Sequence, residues 1–161
     1  MKYFVEQKVL TLVRAVFKVY NEQDEVAYNV KSKIMIPRRL IIYDKEENEV
    51  LRIRKRYFRA TPRYDVMVGK ERKVRIVKKI RMFKKKFVLR SKNADLDKII
   101  IDGDIIGKGF EIARDNEVFA TVNKKFFSIG DKYLVDIHDE QYALIYLGIA
   151  IAIDEMVHKG K

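Results

Sequence analysis

The feature that most constrains the fold is an apolar run near the C-terminus that is too short to cross a membrane. Residues 142–153, YALIYLGIAIAI, end at Asp154 and Glu155, whereas a transmembrane helix needs about 18–20 apolar residues. Asp139 and Glu140 precede the run and suit a helix N-terminus, so we predict a helix over residues 140–156. The IAIAI stretch also alternates with period two, which leaves a strand as the alternative. A helix that is apolar on every side must be buried on every side, and the rest of the chain has to enclose it.

The rest of the chain carries the alternation of apolar and polar residues that is typical of half-buried antiparallel strands. In residues 12–20, for example, Val13, Ala15, Phe17 and Val19 share one face. The other strand candidates are 3–9, 26–35, 40–43, 49–58, 63–69, 72–80, 86–92, 98–101, 109–114, 117–123, 125–129 and 133–138. The separators NEQDE, DKEEN, GKE, DGD, RDNE and IGDK contain the residues that tight turns require, so we interpret them as hairpin turns.

About a dozen strands exceed what a twisted open sheet holds comfortably, which leaves a closed barrel or a sandwich. A barrel of more than eight strands has an interior too wide for its own side chains, and a helix about 25 Å long would fill it. We therefore predict an all-β fold with one central helix, a closed antiparallel barrel of about twelve strands. No linker divides the chain, and Pro37 and Pro62 both lie between strand candidates, so we predict a single domain over residues 1–161.

The composition of the chain indicates the cellular compartment in which we expect the protein. The chain has no cysteine, which excludes disulfides and thiolate chemistry and fits a reducing compartment. The N-terminal MKYFVEQKVL lacks the apolar core of a signal peptide. Gly148 and Ala152 have the spacing of a membrane dimerisation motif, but the run is too short to span, so small residues here favour close approach of strands to the helix. We expect a cytoplasmic monomer with no transmembrane segment, able to lie peripherally at a membrane.

The segment DGDIIGKG invites a phosphate-loop interpretation. Three residues instead of four separate Gly103 from Gly107, however, and Gly109 replaces the Ser or Thr that follows the lysine in that motif. We interpret the segment as a hairpin connection.

Metal and catalytic constellations are also weak. Asp102 and Asp104 could begin a calcium loop, but the fifth position is Ile106 and the twelfth is Ala113, neither of which supplies a ligand side chain. These residues, like Asp95 and Asp97, are better interpreted as turn carboxylates. The two histidines, His138 and His158, lack metal-pair spacing. We predict no enzyme activity and no cofactor, with a hydrolase built from distant carboxylates as the competing hypothesis.

The one strong functional signal is local basicity. Net charge is +12, and residues 52–92 hold 18 Lys or Arg against only Asp65 and Glu71, a local charge of +16. Within strand candidates, basic residues alternate with apolar residues such as Leu51, Ile53 and Phe87, so the basic rows occupy one outer wall about 5 Å apart per strand. Asp65 offsets only part of this charge. The predicted anion-binding residues are Arg52, Arg54, Arg56, Lys73, Arg75, Lys79 and Arg81.

Three stretches resemble the LURP-one-related family of the Tubby C-terminal-like superfamily, whose relatives include the phospholipid scramblases. They are RLIIYDKEENEVLRIRKRYF, FSIGDKYLVDI and the closing helix that ends in AIAID. The resemblance implies a twelve-stranded barrel threaded by a helix at Tyr142 to Ile153. It also implies phosphoinositide headgroups as ligands, because Tubby-like domains bind them through basic side chains on the barrel, while scramblase relatives are linked to membranes and calcium. It brings no catalytic motif.

These observations favour a binding protein for anionic phospholipid headgroups, with nucleic acid as the alternative and a protein-interaction scaffold third. A wall that is only solvated is the competing structural interpretation. Single-strand binders place aromatic rings among their basic residues. Here Tyr57 and Phe87 lie opposite the basic rows, and only Phe58 and Phe83 could lie among them, which weakens the nucleic-acid hypothesis.

Overall fold

A computed structural model describes residues 1–11, 14–33, 38–56, 61, 63–79, 86–105, 107–124 and 132–158. Twelve strands in these ranges form one closed antiparallel barrel. The strands are β1 Lys2–Thr11, β2 Arg14–Tyr20, β3 Val26–Lys33, β4 Arg39–Tyr43, β5 Glu49–Arg56, β6 Arg63–Val68, β7 Glu71–Lys79, β8 Lys86–Arg90, β9 Ile100–Asp104, β10 Gly109–Arg114, β11 Glu117–Lys124 and β12 Lys132–Ile137. The predicted barrel is confirmed.

The strands follow one another around the barrel in sequence order, and β1 closes it by pairing with β12. In this closing pair, Lys2 lies opposite Asp136 and Glu6 lies opposite Lys132. Closure removes the unpaired edges that an open sheet would expose.

The predicted alternation of faces is confirmed on β2 and β5, whereas β4, β6 and β8 each bury three consecutive residues. Phe17 and Val19 on β2 are buried, as are Leu51 and Ile53 on β5. The turns NEQDE, DKEEN, GKE and RDNE are hairpin turns, because each joins two neighbouring strands of the barrel. Each also contains residues at positive φ, which short polar side chains and glycine tolerate; these are Asp24, Glu47, Gly69, Asp115 and Asn116.

The prediction that DGD forms a hairpin turn was wrong. Asp102, Gly103 and Asp104 are the last residues of β9 and pair with β10, so the strand predicted at 98–101 lies further along the chain. Gly103 has a φ of +143°, and a Cβ there would lie 2.7 Å from the carbonyl oxygen of Gly109. The glycine therefore serves a close approach of two backbones, a role that a search for turn residues misreads.

The enclosed helix is confirmed. Asp139 caps a short 3-10 turn, Glu140–Tyr142, by accepting a hydrogen bond from the Gln141 amide, and α1 then runs from Ala143 to His158. Residues 145–155 of α1 are all buried, so every side of the helix contacts the barrel. Tyr146 stacks on Phe119 with ring centroids 5.9 Å apart, which fixes the N-terminal half of α1 against β11.

Gly148 lies where α1 passes β5 and β6. A Cβ at this position would collide with the Leu51 side chain and lie 3.6 Å from Val66 Cγ1. The small residue thus permits close contact of helix and barrel wall, as predicted.

Several predicted features lie outside the described residues. These are the strand at 125–129, the first part of the 12–20 strand, most of the IGDK turn, and Arg81, Tyr57, Phe58 and Phe83. Among the residues that are described, no helix is long and apolar enough to cross a bilayer.

Candidate anion-binding wall

Six of the seven predicted anion-binding residues lie on two strands of the same side of the barrel. Arg52, Arg54 and Arg56 belong to β5, and Lys73, Arg75 and Lys79 belong to β7. Their strand neighbours of opposite parity, such as Leu51 and Val74, are buried in the core. The six basic side chains therefore face outward, while the seventh, Arg81, is outside the described residues.

Strand β6 separates these two rows and places Asp65 between them. Asp65 lies directly opposite Arg54 on β5 and Arg75 on β7. Arg75 donates two hydrogen bonds to it, Nε to Oδ1 at 2.7 Å and Nη2 to Oδ2 at 3.1 Å. Arg54 Nη2 and Arg56 Nη1 lie 3.8 and 3.9 Å from Oδ2. One carboxylate thus has three arginines around it.

The contact with Asp65 changes the pKa of Arg75. The hydrogen bonds that Asp65 accepts from Arg75 raise the pKa of the Arg75 guanidinium, because an anion within hydrogen-bond reach favours the charged form. Arg75 is therefore a fixed cation at the centre of the wall.

The register of the strands places further basic residues directly opposite one another. Arg39 on β4 faces Arg54, Arg56 faces Arg63, and Arg75 faces Arg90. Directly opposed residues have Cβ atoms about 4.5–5.5 Å apart, and like charges at that distance destabilise the pair. We call Arg39, Arg54, Arg56, Arg63, Arg75 and Arg90, together with Asp65, the arginine cluster, whose net charge is 6 − 1 = +5.

Arg39, Arg63 and Arg90 were not among the predicted site residues. Arg39 lies outside the dense basic segment of the sequence, and its place beside Arg54 is set by the β4–β5 hairpin. The signal that could have found it is the turn itself, because a hairpin turn fixes the register of its two strands. The Nε atoms of Arg39, Arg54 and Arg63 are buried without a hydrogen-bond partner among the described residues.

The rest of the wall includes locally paired cations. Arg52 binds Glu49 at 2.7 Å, a contact that raises the pKa of Arg52. Lys73 binds Glu71 at 2.6 Å. Lys79 has no ion pair with any described residue. It lies opposite another cation, Lys86, in the β7–β8 pair. We call the cations Arg52, Lys73 and Lys79, together with the arginine cluster, the basic wall.

A second charged cluster lies inside the barrel, beside the C-terminal half of α1. Asp154 and Glu155 are 2% and 3% exposed. Lys124 Nζ donates to Asp154 Oδ1 at 2.9 Å, and Arg38 Nε lies 3.1 Å from Glu155 Oε1. In the sequence, these acids stand out only as the end of the apolar run. We call these four residues the inner cluster.

Buried tyrosines accompany the helix. Burial raises the pKa of the Tyr133 hydroxyl well above its usual value, and the nearby charges of Asp154 and Glu155 add to the effect. Burial also raises the pKa of Tyr146, which donates a hydrogen bond to Asp139 at 3.3 Å. These hydroxyls are proton-bearing at neutral pH.

The described residues contain no group of three or more His, Asp or Glu side chains that could hold a metal ion. Asp97 accepts a hydrogen bond from the Ser91 amide at 2.9 Å, which lowers the pKa of its carboxyl. Asp95 accepts from the Tyr142 hydroxyl at 2.8 Å. These two carboxylates organise the loop before β9, in agreement with their interpretation as turn residues. His138 lies on the surface, with Nδ1 3.1 Å from the Val118 carbonyl oxygen.

Comparison with known proteins places the chain in a family. It is 26% identical over 159 residues to the uncharacterized protein YxjI of Bacillus subtilis strain 168, covering 98% of this chain and 94% of that protein. The X-ray structure of the Arabidopsis thaliana protein AT5G01750 has the same fold, with a TM-score of 0.60 at 13% identity over 96% of this chain and 91% of that one. The family profile described as LURP-one-related matches residues 1–154, and the chain belongs to the LURP-one-related family.

Proposed function

We propose that the protein is a non-catalytic binding protein whose basic wall holds anionic phospholipid headgroups at a membrane surface. The observation that carries this proposal is the set of directly opposed arginine pairs, Arg39 with Arg54, Arg56 with Arg63 and Arg75 with Arg90. Like charges in direct opposition cost stability. An anion lying between the guanidinium groups offsets that cost through charge-assisted hydrogen bonds.

The opposite side of the barrel supports the same proposal by contrast. On β12, β1 and β2, Glu6 lies between Lys132 and Lys18, so the charges alternate in sign. A surface that only maintains solubility is served by interspersed signs. The basic wall departs from that pattern, and basic residues near an anionic leaflet contribute about 1 kcal/mol each to membrane binding.

The test is a pair of charge reversals that leave Asp65 and its bonds intact. Arg63→Glu and Arg90→Glu together should weaken binding to vesicles of phosphatidylcholine and phosphatidylglycerol at least about tenfold. The same variant should unfold at a higher temperature, because each new glutamate faces an arginine across the sheet. Weaker binding with a more stable fold separates loss of function from misfolding.

The matched control is Lys2→Glu with Lys108→Glu, which changes net charge equally at two exposed positions away from the wall. It should bind vesicles nearly as the wild type does. Three results would contradict the proposal: no binding by the wild type at low salt, equal loss in both variants, or tighter binding to an oligonucleotide than to the vesicles. The last would favour nucleic acid, whose phosphate contacts are equally salt-sensitive.

The proposal includes the absence of catalysis. The described buried carboxylates, Asp65, Asp154 and Glu155, all form ion pairs with arginine or lysine, which supports a structural role for them. A hydrolase screen that finds turnover abolished by Glu155→Gln in a folded variant would overturn this part.

A further inference from the structure

The arginine cluster is built around a carboxylate, which distinguishes it from a diffuse basic surface. Asp65 faces outward between β5 and β7, yet its side chain is only 1% exposed. Arg75 binds both of its oxygens. Arg54 and Arg56 approach Oδ2 at 3.8 and 3.9 Å, beyond hydrogen-bond distance. The carboxylate therefore brings three guanidinium groups together, and Arg54 and Arg56 do not donate hydrogen bonds to it.

Charge balance indicates which anion would fit. Three arginines and one aspartate give 3 − 1 = +2 at this point of the wall, and the arginines directly opposed to them raise the local excess further. A phosphate monoester carries a charge of about −1.5 to −2 at pH 7 and offers three acceptor oxygens, whereas a phosphate diester carries only one negative charge. The monoester, with its higher charge and its three acceptor oxygens for three guanidinium groups, thus suits this site better than a diester.

We infer that Asp65 is a positioning residue that presents Arg54, Arg56 and Arg75 as a preformed receptor for a phosphate monoester dianion. This inference rests on the proposed function and names the ligand class of the same wall. Preorganised donors bind more tightly because the ligand does not have to order them. The alternative role of Asp65, simple neutralisation of excess charge, makes the opposite prediction about its removal.

Positioning and neutralisation predict opposite changes in anion affinity when Asp65 is replaced. Asp65→Asn makes the protein more positive, so neutralisation predicts tighter anion binding, while positioning predicts weaker binding. The matched control is Glu71→Gln, which removes one negative charge beside the same wall, at a side chain that is 69% exposed and forms an ion pair with Lys73. We expect Asp65→Asn to lose about tenfold in affinity for a phosphate monoester and Glu71→Gln to lose nothing.

The probes are two kinds of phosphatidylcholine vesicle matched in surface charge. One contains phosphatidic acid, a monoester, and the other contains phosphatidylglycerol, a diester. The wild type should prefer phosphatidic acid, and this preference should increase as pH rises through about 6, where a phosphate monoester takes its second charge. Asp65→Asn should lose the preference and its pH dependence. Competition by inorganic phosphate would indicate that the phosphate group alone is recognised, and resistance to it would indicate a headgroup held in a membrane.

A second, charge-conserving variant keeps the test decisive if Asp65→Asn does not fold. Arg75→Lys removes the two-bond contact with Asp65, and Arg72→Lys is its control at an exposed position on the same strand. Only Arg75→Lys should reduce the phosphatidic acid preference. If Asp65→Asn binds more tightly, as neutralisation predicts, or both lysine variants match the wild type, the inference is wrong while the proposed function stands. If the wild type ignores both vesicles, the proposed function itself fails.

Discussion

The inner cluster and the arginine cluster both bury carboxylates among cations, but they are balanced differently. Inside the barrel, Asp154 and Glu155 meet Lys124 and Arg38, two acids with two bases. Outside it, Asp65 alone meets three arginines. Burying charge is costly unless it is paired, so the inner cluster is an internal structural contact. The outer cluster keeps an excess of positive charge at the surface, which is available to a ligand.

The sharpest way to break this comparison is to remove a cation from the inner cluster. Lys124→Met leaves Asp154 without its bonded lysine, and losing one partner of a buried ion pair costs about 3 kcal/mol of the free energy of unfolding. Urea denaturation measures the loss. Vesicle binding by the folded fraction should not change.

Lys132→Met is the control for this variant, because Lys132 lies on the neighbouring strand with a side chain that is 45% exposed, 3.7 Å from Glu6. It should cost less than about 0.5 kcal/mol. If Lys124→Met costs no more than Lys132→Met, the inner cluster is not a structural contact.

Asp65→Asn should reduce the free energy of unfolding by about 1–2 kcal/mol. This loss is smaller than the one expected for Lys124→Met. Arg75 is partly exposed and can turn to water after its carboxylate is removed, whereas Asp154 cannot. The comparison is made by urea denaturation at one pH and salt concentration. A loss larger than that of Lys124→Met would mean that Asp65 is mainly a structural residue.

The smallest effect concerns Tyr133, beside the inner cluster. Its hydroxyl is buried with no hydrogen-bond partner among the described residues, so Tyr133→Phe should raise the free energy of unfolding by about 1 kcal/mol. A decrease would show that the hydroxyl is bonded in solution.

Alkaline pH extends this prediction. Burial raises the pKa of Tyr3 to about 12 and also raises those of Tyr133 and Tyr146. Above pH 10 the unfolded chain releases these protons first, so stability is complete below pH 10 and decreases as pH rises toward the folded-state pKa values. The decrease is about 1.4 kcal/mol per pH unit for each such tyrosine. Tyr133→Phe should reduce the decrease in unfolding free energy per pH unit by the contribution of one tyrosine. Urea unfolding between pH 9 and 12 measures this change.

Sequence predicted the barrel and the enclosed helix because both depend on local patterns. Alternation identifies which face is buried on strands such as β2 and β5. The apolar run around Gly148 is too short to cross a membrane and must therefore be buried inside the protein. The inner cluster was not predictable in this way. Asp154 and Glu155 look like the polar end of a buried segment, and their partners Lys124 and Arg38 are distant in sequence.

The basic wall was predicted in outline for the same reason, since basic residues alternate with apolar ones along β5 and β7. Its centre was not, because the contacts of Asp65 require the register of three strands at once. Arg39 was missed because it belongs to a strand outside the basic segment. Local patterns assign a face to a residue, and only register assigns it a neighbour.

The closing of β1 onto β12 determines when the protein can fold during its synthesis. The strand that closes the barrel and the helix that fills it follow the other eleven strands in sequence, so they leave the ribosome after them. Until then eleven strands present an apolar inner face with nothing to cover it, and pairing residues 2 and 136 is a long-range contact that forms slowly. Apolar surface exposed during this interval favours aggregation of the nascent chain.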